Sequence, residues 1–360
     1  MIPPKTISLS GWMIGIAVVL AVAIGAVAVS RVPRSGDAGS GLPQRFDYDL
    51  KTHKTIDPAL ILYRQAGELP LDLSASRAVA VGPEDRIYVA GDQKILVFDR
   101  EGTRRSEIAL ESEPRCLAVG GAGNKEPGRI YVGMRDHVEV YGPDGTRQAV
   151  WERLGEKAVL TSIAVADSAD EHDIFAADAG HRVVHRYDPS GKRLAEIGRR
   201  NREQKIRGFI IPSPYFDLAV TADGLLRVVN PGMHRIEAYT FDGHFEEPLV
   251  WGKASLEIEG FCGCCNPANM AAMPGGGYVT AEKGIPRVKI YGADGNFVGV
   301  VAGPDVLAPT ATITEETRED HKLEVVDVAA DSRGRILVLD PAARKVRIFV
   351  ARNPQMETKS

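Results

Sequence analysis

Three of the chain's four cysteines fall in one short run, Glu259-Gly-Phe-Cys262-Gly-Cys264-Cys265-Asn-Pro267, and the fourth is Cys116. Thiolates brought together hold soft or borderline ions, so this set points to zinc, copper(I) or an iron-sulfur cluster. In an oxidising compartment the same four sulfurs would instead pair as disulfides, within the loop or onto Cys116. Buried thiols with no ligand are the third reading.

A second set is oxygen-rich. Ser162, Asp217, Asn269 and Asp327 each open an apolar run, and carboxylate and amide oxygens suit a hard cation such as calcium. The same residue types also open strands simply to satisfy nearby main-chain groups. His181 and His234 occupy equivalent turns and His137 lies in a related position. The basic run from Arg199 to Arg207 reads as a solvated loop that could meet an anionic partner. The sequence offers no nucleophile–base pair and no phosphate-binding loop. With a net charge of -4 and a pI near 6.1, the chain has no bulk attraction for nucleic acid.

The elements that must position these residues recur. Six copies of one pattern start at 78, 116, 162, 217, 269 and 327. Each has an apolar strand, a polar turn, a second apolar strand, a short turn, and a basic-apolar strand, as in Ala78 to Gly102 or Cys116 to Gly145. β-Branched and aromatic residues in Arg129-Ile-Tyr-Val132 and Arg335-Ile-Leu-Val338 suit strands packed on both faces. Asp188-Pro-Ser-Gly191 and Pro143-Asp-Gly145 supply the residues that tight hairpins need. A single small sheet cannot bury both faces, so the copies must stack around an axis. An all-β ring of six four-stranded blades is expected. The last copy stops at its third strand, whereas Leu60 to Leu69 precedes the first copy unassigned. This amino-terminal strand is expected to complete the last blade and remove the open edge.

The segment Asp178-Ala-Gly-His181-Arg182-Val183, with Tyr187-Asp188-Pro-Ser-Gly191 after it, resembles the strand-turn-strand signature of the NHL-repeat family, as does Asn230-Pro-Gly-Met-His234-Arg235-Ile236. The resemblance runs unevenly over about residues 60 to 350 and implies a six-bladed NHL-like β-propeller. Lactonases of the gluconolactonase and paraoxonase type are similar six-bladed proteins. Asn269, Asp327 and Asp217 resemble their calcium ligands in kind.

The amino-terminal region has a different character. Residues 11–30 carry no charge, and about 20 apolar residues at about 1.5 Å each cross a bilayer core. The expected organisation is a tail at 1–10, a transmembrane signal-anchor at 11–30, a flexible stalk at 31–56, the propeller at 57–353 and a tail at 354–360. The propeller is placed on the non-cytoplasmic, periplasmic side of the membrane, with a cleaved signal as the alternative to the anchor.

The long connections precede copies 4, 5 and 6 and share one face of the ring, where binding sites on rigid scaffolds concentrate. The sequence reading is therefore a non-catalytic, membrane-anchored binding module for a protein, glycan or small ligand on that face. The alternatives are a metal-binding or redox-active propeller using Cys116, Cys262, Cys264 and Cys265, and a calcium-dependent lactonase-like hydrolase.

Overall fold

A computed structural model describes residues 55–352 apart from 168–171, 204–205, 264 and 310–325. The expected anchor, the stalk up to residue 54, the carboxy-terminal tail and Cys264 lie outside the described residues. Among the described residues no helix is long and apolar enough to cross a membrane.

Six antiparallel sheets follow one another along the chain. Blade 1 contains β2 (Ser76–Val81), β3 (Ile87–Gly91), β4 (Lys94–Phe98) and β5 (Arg104–Ala109). Blade 2 contains β6 (Cys116–Val119), β7 (Ile130–Gly133), β8 (Val138–Tyr141) and β9 (Arg147–Val150). Blade 3 contains β10 (Leu160–Val165), β11 (Ile174–Asp178), β12 (Val183–Tyr187) and β13 (Arg193–Ile197). Blade 4 has β14 (Leu218–Val220), β15 (Leu226–Asn230) and β16 (Arg235–Tyr239), and blade 5 has β17 (Asn269–Ala272), β18 (Tyr278–Glu282), β19 (Arg287–Tyr291) and β20 (Phe297–Ala302). Blade 6 is β21 (Asp327–Ala330), β22 (Ile336–Asp340), β23 (Lys345–Ala351) and, from the other end of the chain, β1 (Tyr63–Pro70).

β1 pairs antiparallel with β23, from Tyr63 opposite Ala351 to Pro70 opposite Lys345. The amino-terminal strand thus closes the ring as expected. Its Leu69 packs with Val79 and Ile87 of blade 1 and Leu337 of blade 6 in one apolar cluster, so the seam carries core as well as ladder.

Blade 4 departs from the expected four strands. Its outer position is taken by residues 245–251, whose pairing with β16 is limited to isolated bridges from Tyr239 to Phe245 and from Ile236 to Trp251. Pro248 sits in a 3-10 turn over Glu247–Leu249. A proline has no N–H for a ladder and its fixed φ suits the turn.

One chemical pattern runs through the hairpins. The third strands carry buried aromatics at equivalent places, Phe98, Tyr141, Tyr187, Tyr239, Tyr291 and Phe349, which pack between blades. The last residue of the second strand often pairs with the third residue of the third strand: Asp178 with His185 at 3.3 Å, Asn230 with Glu237 at 2.9 Å, and Asp340 with Arg347 at 2.8 Å. In blade 5 the same places hold Glu282 and Lys289, which are also in contact. Each pair lets a polar group be buried at a hairpin end with its partner.

Candidate functional site

The inner strands β2, β6, β10, β14, β17 and β21 stand side by side around a central channel. A cavity of about 250 Å³ runs between them, and a second of about 890 Å³ widens at the end where they begin. That end also carries the connections between blades and the turn between each second and third strand.

Ser162, Asp217, Asn269 and Asp327 do gather on this channel. Their hydrogen bonds run from blade to blade. Asp217 accepts from the main-chain N–H of Leu218 at 2.8 Å and of Met270 in blade 5 at 2.6 Å, and also from Ser162 of blade 3. Asn269 donates to the carbonyl of Val326 at 2.8 Å. Asp327 accepts from Val328 and from Val79 in blade 1, both at 2.9 Å. Inner strands of neighbouring blades form no ladder with each other, and these side chains satisfy the main-chain groups left over. Both carboxylates already have acceptor positions occupied by N–H groups.

Burial shifts their titration. The Asp217 carboxyl is pushed up to about 6 by burial, against the hydrogen bonds from Ser162, Met270 and Leu218. Asp327 is pushed up to about 7, first by burial and then by repulsion from Asp217. The same burial, with Asp217 and Asp327 near by, raises the Cys116 thiol well above its usual range. Burial thus favours the thiol of Cys116 over the thiolate, the form that acts as nucleophile or metal ligand.

Among the described cysteines, Cys116 alone lines the channel. It does so in blade 2, whereas Cys262 and Cys265 do not line it, and all three are buried. Cys262 packs against Ile285 and accepts a hydrogen bond from Arg287 at 3.1 Å. Cys265 takes one from Ser213 at 2.8 Å. Around Cys262 lies a fully buried charge cluster: Arg287 donates to Glu282 at 2.6 Å, and Lys289 contacts Glu282. Lys289 also donates to the carbonyls of Ile258 and Gly260 at 2.9 and 2.6 Å and lies over the Phe261 ring at 4.7 Å. This cluster pins the loop before β17 to blade 5.

The wide mouth has its own chemistry, supplied by residues that spacing had not singled out. Arg77 and Arg115 precede Ala78 and Cys116 on neighbouring inner strands and project, exposed, into the cavity. Among the described residues neither has a carboxylate partner within ion-pair distance. Arg135 and Arg153 stand on the rim, where Arg153 pairs with Asp136 at 2.7 Å and Arg135 donates to the carbonyl of Glu156 at 3.0 Å. Burial would raise the Asp136 carboxyl, but hydrogen bonds from His137 and Arg153 outweigh it and hold it low. Tyr215, with the Lys283 ammonium 4.8 Å above its ring, forms another part of the wall. The lining carries four arginines against the carboxylates Glu113, Asp136 and Asp327.

No protein-family model matches the chain, and no curated protein sequence does. Solved structures do. A catalytically inactive virginiamycin B lyase from Staphylococcus aureus with quinupristin superposes with a TM-score of 0.50 at 13% identity, over 79% of this chain and 83% of that one. The chain has the propeller fold. A streptogramin B lyase structure gives a TM-score of 0.51 at 11% identity, covering 82% of this chain and 100% of that one. The WD40 propeller domain of Doa1 gives 0.51 at 15%, covering 77% and 79%. At these identities the likeness is one of architecture alone, and the chemistry must be read from this chain's own residues.

Proposed function

We propose that this propeller is a non-catalytic binding module that holds a small anionic ligand, such as an acidic sugar or another carboxylate, in its mouth cavity. The observation that carries this reading is the pair Arg77 and Arg115. Two guanidinium groups, without carboxylate partners among the described residues, face a cavity of about 890 Å³. That volume lies in the range of about 300–1,000 Å³ typical of small-molecule sites. Guanidinium groups bind carboxylates and phosphates through paired N–H donors. The chain as a whole is acidic, so the basic mouth is a local feature. Asp327 at its base is neutralised by a proton more readily than an ordinary carboxylate, which lessens repulsion of an anion. We further propose that residues 11–30 anchor the module to a membrane with the propeller on the non-cytoplasmic side, on the strength of their uncharged length.

Thermal-shift titration of the full-length chain with citrate, galacturonate, glucose 6-phosphate and neutral glucose tests this reading. An anion that raises Tm in the wild type and not in R77A/R115A, with glucose inert, is the expected result. Equal shifts in both proteins, or no shift with any anion, would sink it.

A second reading keeps the cysteine loop as a redox or metal site. It rests on the Arg287 guanidinium 3.1 Å from Cys262, a hydrogen-bond donor to the sulfur, with the Glu282 carboxylate 3.8 Å from it as an acceptor. Metal content and thiol alkylation rate, compared between wild type and R287M, test it. An alkylation rate unchanged by R287M would remove its support.

A further inference from the structure

The strongest group of ligating side chains outside the mouth lies at the β11–β12 hairpin of blade 3. Asp178 Oδ2, one ring nitrogen of His181 and one of His185 all lie within 4.8 Å of one another. We infer that Asp178, His181 and His185 form a binding site for a zinc-class divalent cation, with three protein ligands and an open position toward solvent.

The carboxylate is held in a fixed orientation. Asp178 Oδ1 accepts the main-chain N–H groups of Val159 at 3.0 Å, Gly180 at 2.9 Å and His181 at 3.1 Å. Oδ2 is thereby turned toward the two rings, with His181 Nδ1 at 2.6 Å and His185 Nε2 at 3.3 Å. Tetrahedral ligands at about 2.1 Å from an ion stand about 3.4 Å apart. His185 already meets that spacing, and His181, on an accessible turn with 31% of its side chain exposed, has only to draw back.

The second ring nitrogen of His185 points to the same conclusion. His185 is buried, and its Nδ1 has no hydrogen-bond partner. The charged group nearest to it is the Glu196 carboxylate, whose Oε1 is 3.9 Å away. A neutral ring donating through Nε2 to Asp178 would aim a bare Nδ1 lone pair at that carboxylate. A ring that binds a cation through Nε2 carries its proton on Nδ1 and aims it at Glu196. That is the carboxylate–histidine–metal arrangement in which an outer carboxylate orients the ligand. The other hairpins lack this geometry. Asn230 with Glu237, Glu282 with Lys289 and Asp340 with Arg347 each close as a direct pair. Among the described residues, blade 3 alone sets two imidazoles on one carboxylate. Two imidazole nitrogens and one carboxylate oxygen suit zinc better than magnesium or calcium.

Equilibrium dialysis of the chelator-stripped, full-length chain against zinc alone, followed by metal analysis, tests the site. Cobalt(II) in place of zinc reports the donor atoms. The expected outcome is one zinc per chain, a cobalt spectrum without a sulfur charge-transfer band, and affinity lowered by more than about 10-fold in H181Q and in H185Q. Because the His181 side chain is partly exposed, H181Q is expected to keep the wild-type circular dichroism spectrum, and it decides the question if H185Q fails to fold. No stoichiometric zinc, a sulfur-ligated cobalt spectrum, or zinc affinity unchanged by H181Q would overturn the assignment.

Discussion

Asp327, at the head of the innermost strand of the last blade, accepts a hydrogen bond at 2.9 Å from the main-chain N–H of Val79 in the first blade. The contact joins residues 248 positions apart in the chain. It crosses the seam on the channel side, while β1 crosses it on the outside by completing the sheet of β23. The ends of the chain are therefore tied twice.

Stability should accordingly depend on the outer tie. Leu69 is buried at the seam among Val79, Ile87 and Leu337, and Leu69→Ala is expected to lower unfolding free energy by about 2–5 kcal/mol. Deleting residues 60–69 would remove a whole strand and expose the edge of β23, and is expected to abolish cooperative unfolding. Urea denaturation followed by tryptophan fluorescence measures both. A deletion variant that unfolds like the wild type would show that the ring does not depend on this strand.

The inner tie carries a pH signature. Asp217 and Asp327 bind protons more tightly in the fold, at about 6 and 7, than in the unfolded chain, near 3.9. The stability tied to their protonation is present at low pH and is lost as the pH rises through the window from about 4 to 7. Carboxylates held low, such as Asp136, act in the opposite direction, so the comparison must be with a variant. Asp327→Asn is expected to lose less stability than the wild type between pH 5 and 8, by on the order of 1–2 kcal/mol, allowing for access of channel water to this group. Parallel curves for the two proteins would contradict the assignment.

The buried cluster beside Cys262 predicts a large single-site effect. Glu282 faces both Arg287 and Lys289 in the interior. Glu282→Ala would strand two buried cations and is expected to cost about 3–5 kcal/mol, with local unfolding of the 258–262 loop. Chemical denaturation together with protease sensitivity in that loop measures it. A loss under 1 kcal/mol would mean that the cluster is open to water.

Gly191 tests the turn chemistry. It has φ +91, and a Cβ there would come within 2.4 Å of the Trp151 indole. Gly191→Ala therefore combines strain with a clash and is expected to lower stability by about 1–3 kcal/mol, read as a fall in Tm and a change in tryptophan emission.

The blades and their closure were legible because hairpin turns such as Asp188-Pro-Ser-Gly191 punctuate alternating strands, and because Leu60 to Leu69 had no other place to pair. Pro248 was the available sign that blade 4 would lack a regular outer strand. The four channel residues were legible as a group, since Ser162, Asp217, Asn269 and Asp327 open inner strands, but their tie to neighbouring main chain depends on packing between blades. Arg77 and Arg115 were not legible as site residues, because each stands one residue before the start of its copy of the repeat. The Asp178 pair with His185 spans a hairpin, a register visible once the strands are paired. Separation of Cys116 from Cys262 and Cys265 follows from their places in blades 2 and 5, which spacing along the chain does not reveal.

Hydrogen exchange read by mass spectrometry, on the full-length chain with and without an anion that raises Tm, locates the ligand most directly. Slowed exchange is expected at the mouth alone, in segments 75–77, 112–115, 134–137 and 214–216 that line the cavity. That protection should vanish in R77A/R115A. Protection on the opposite face of the ring, or at the mouth in wild type and variant alike, would contradict this location.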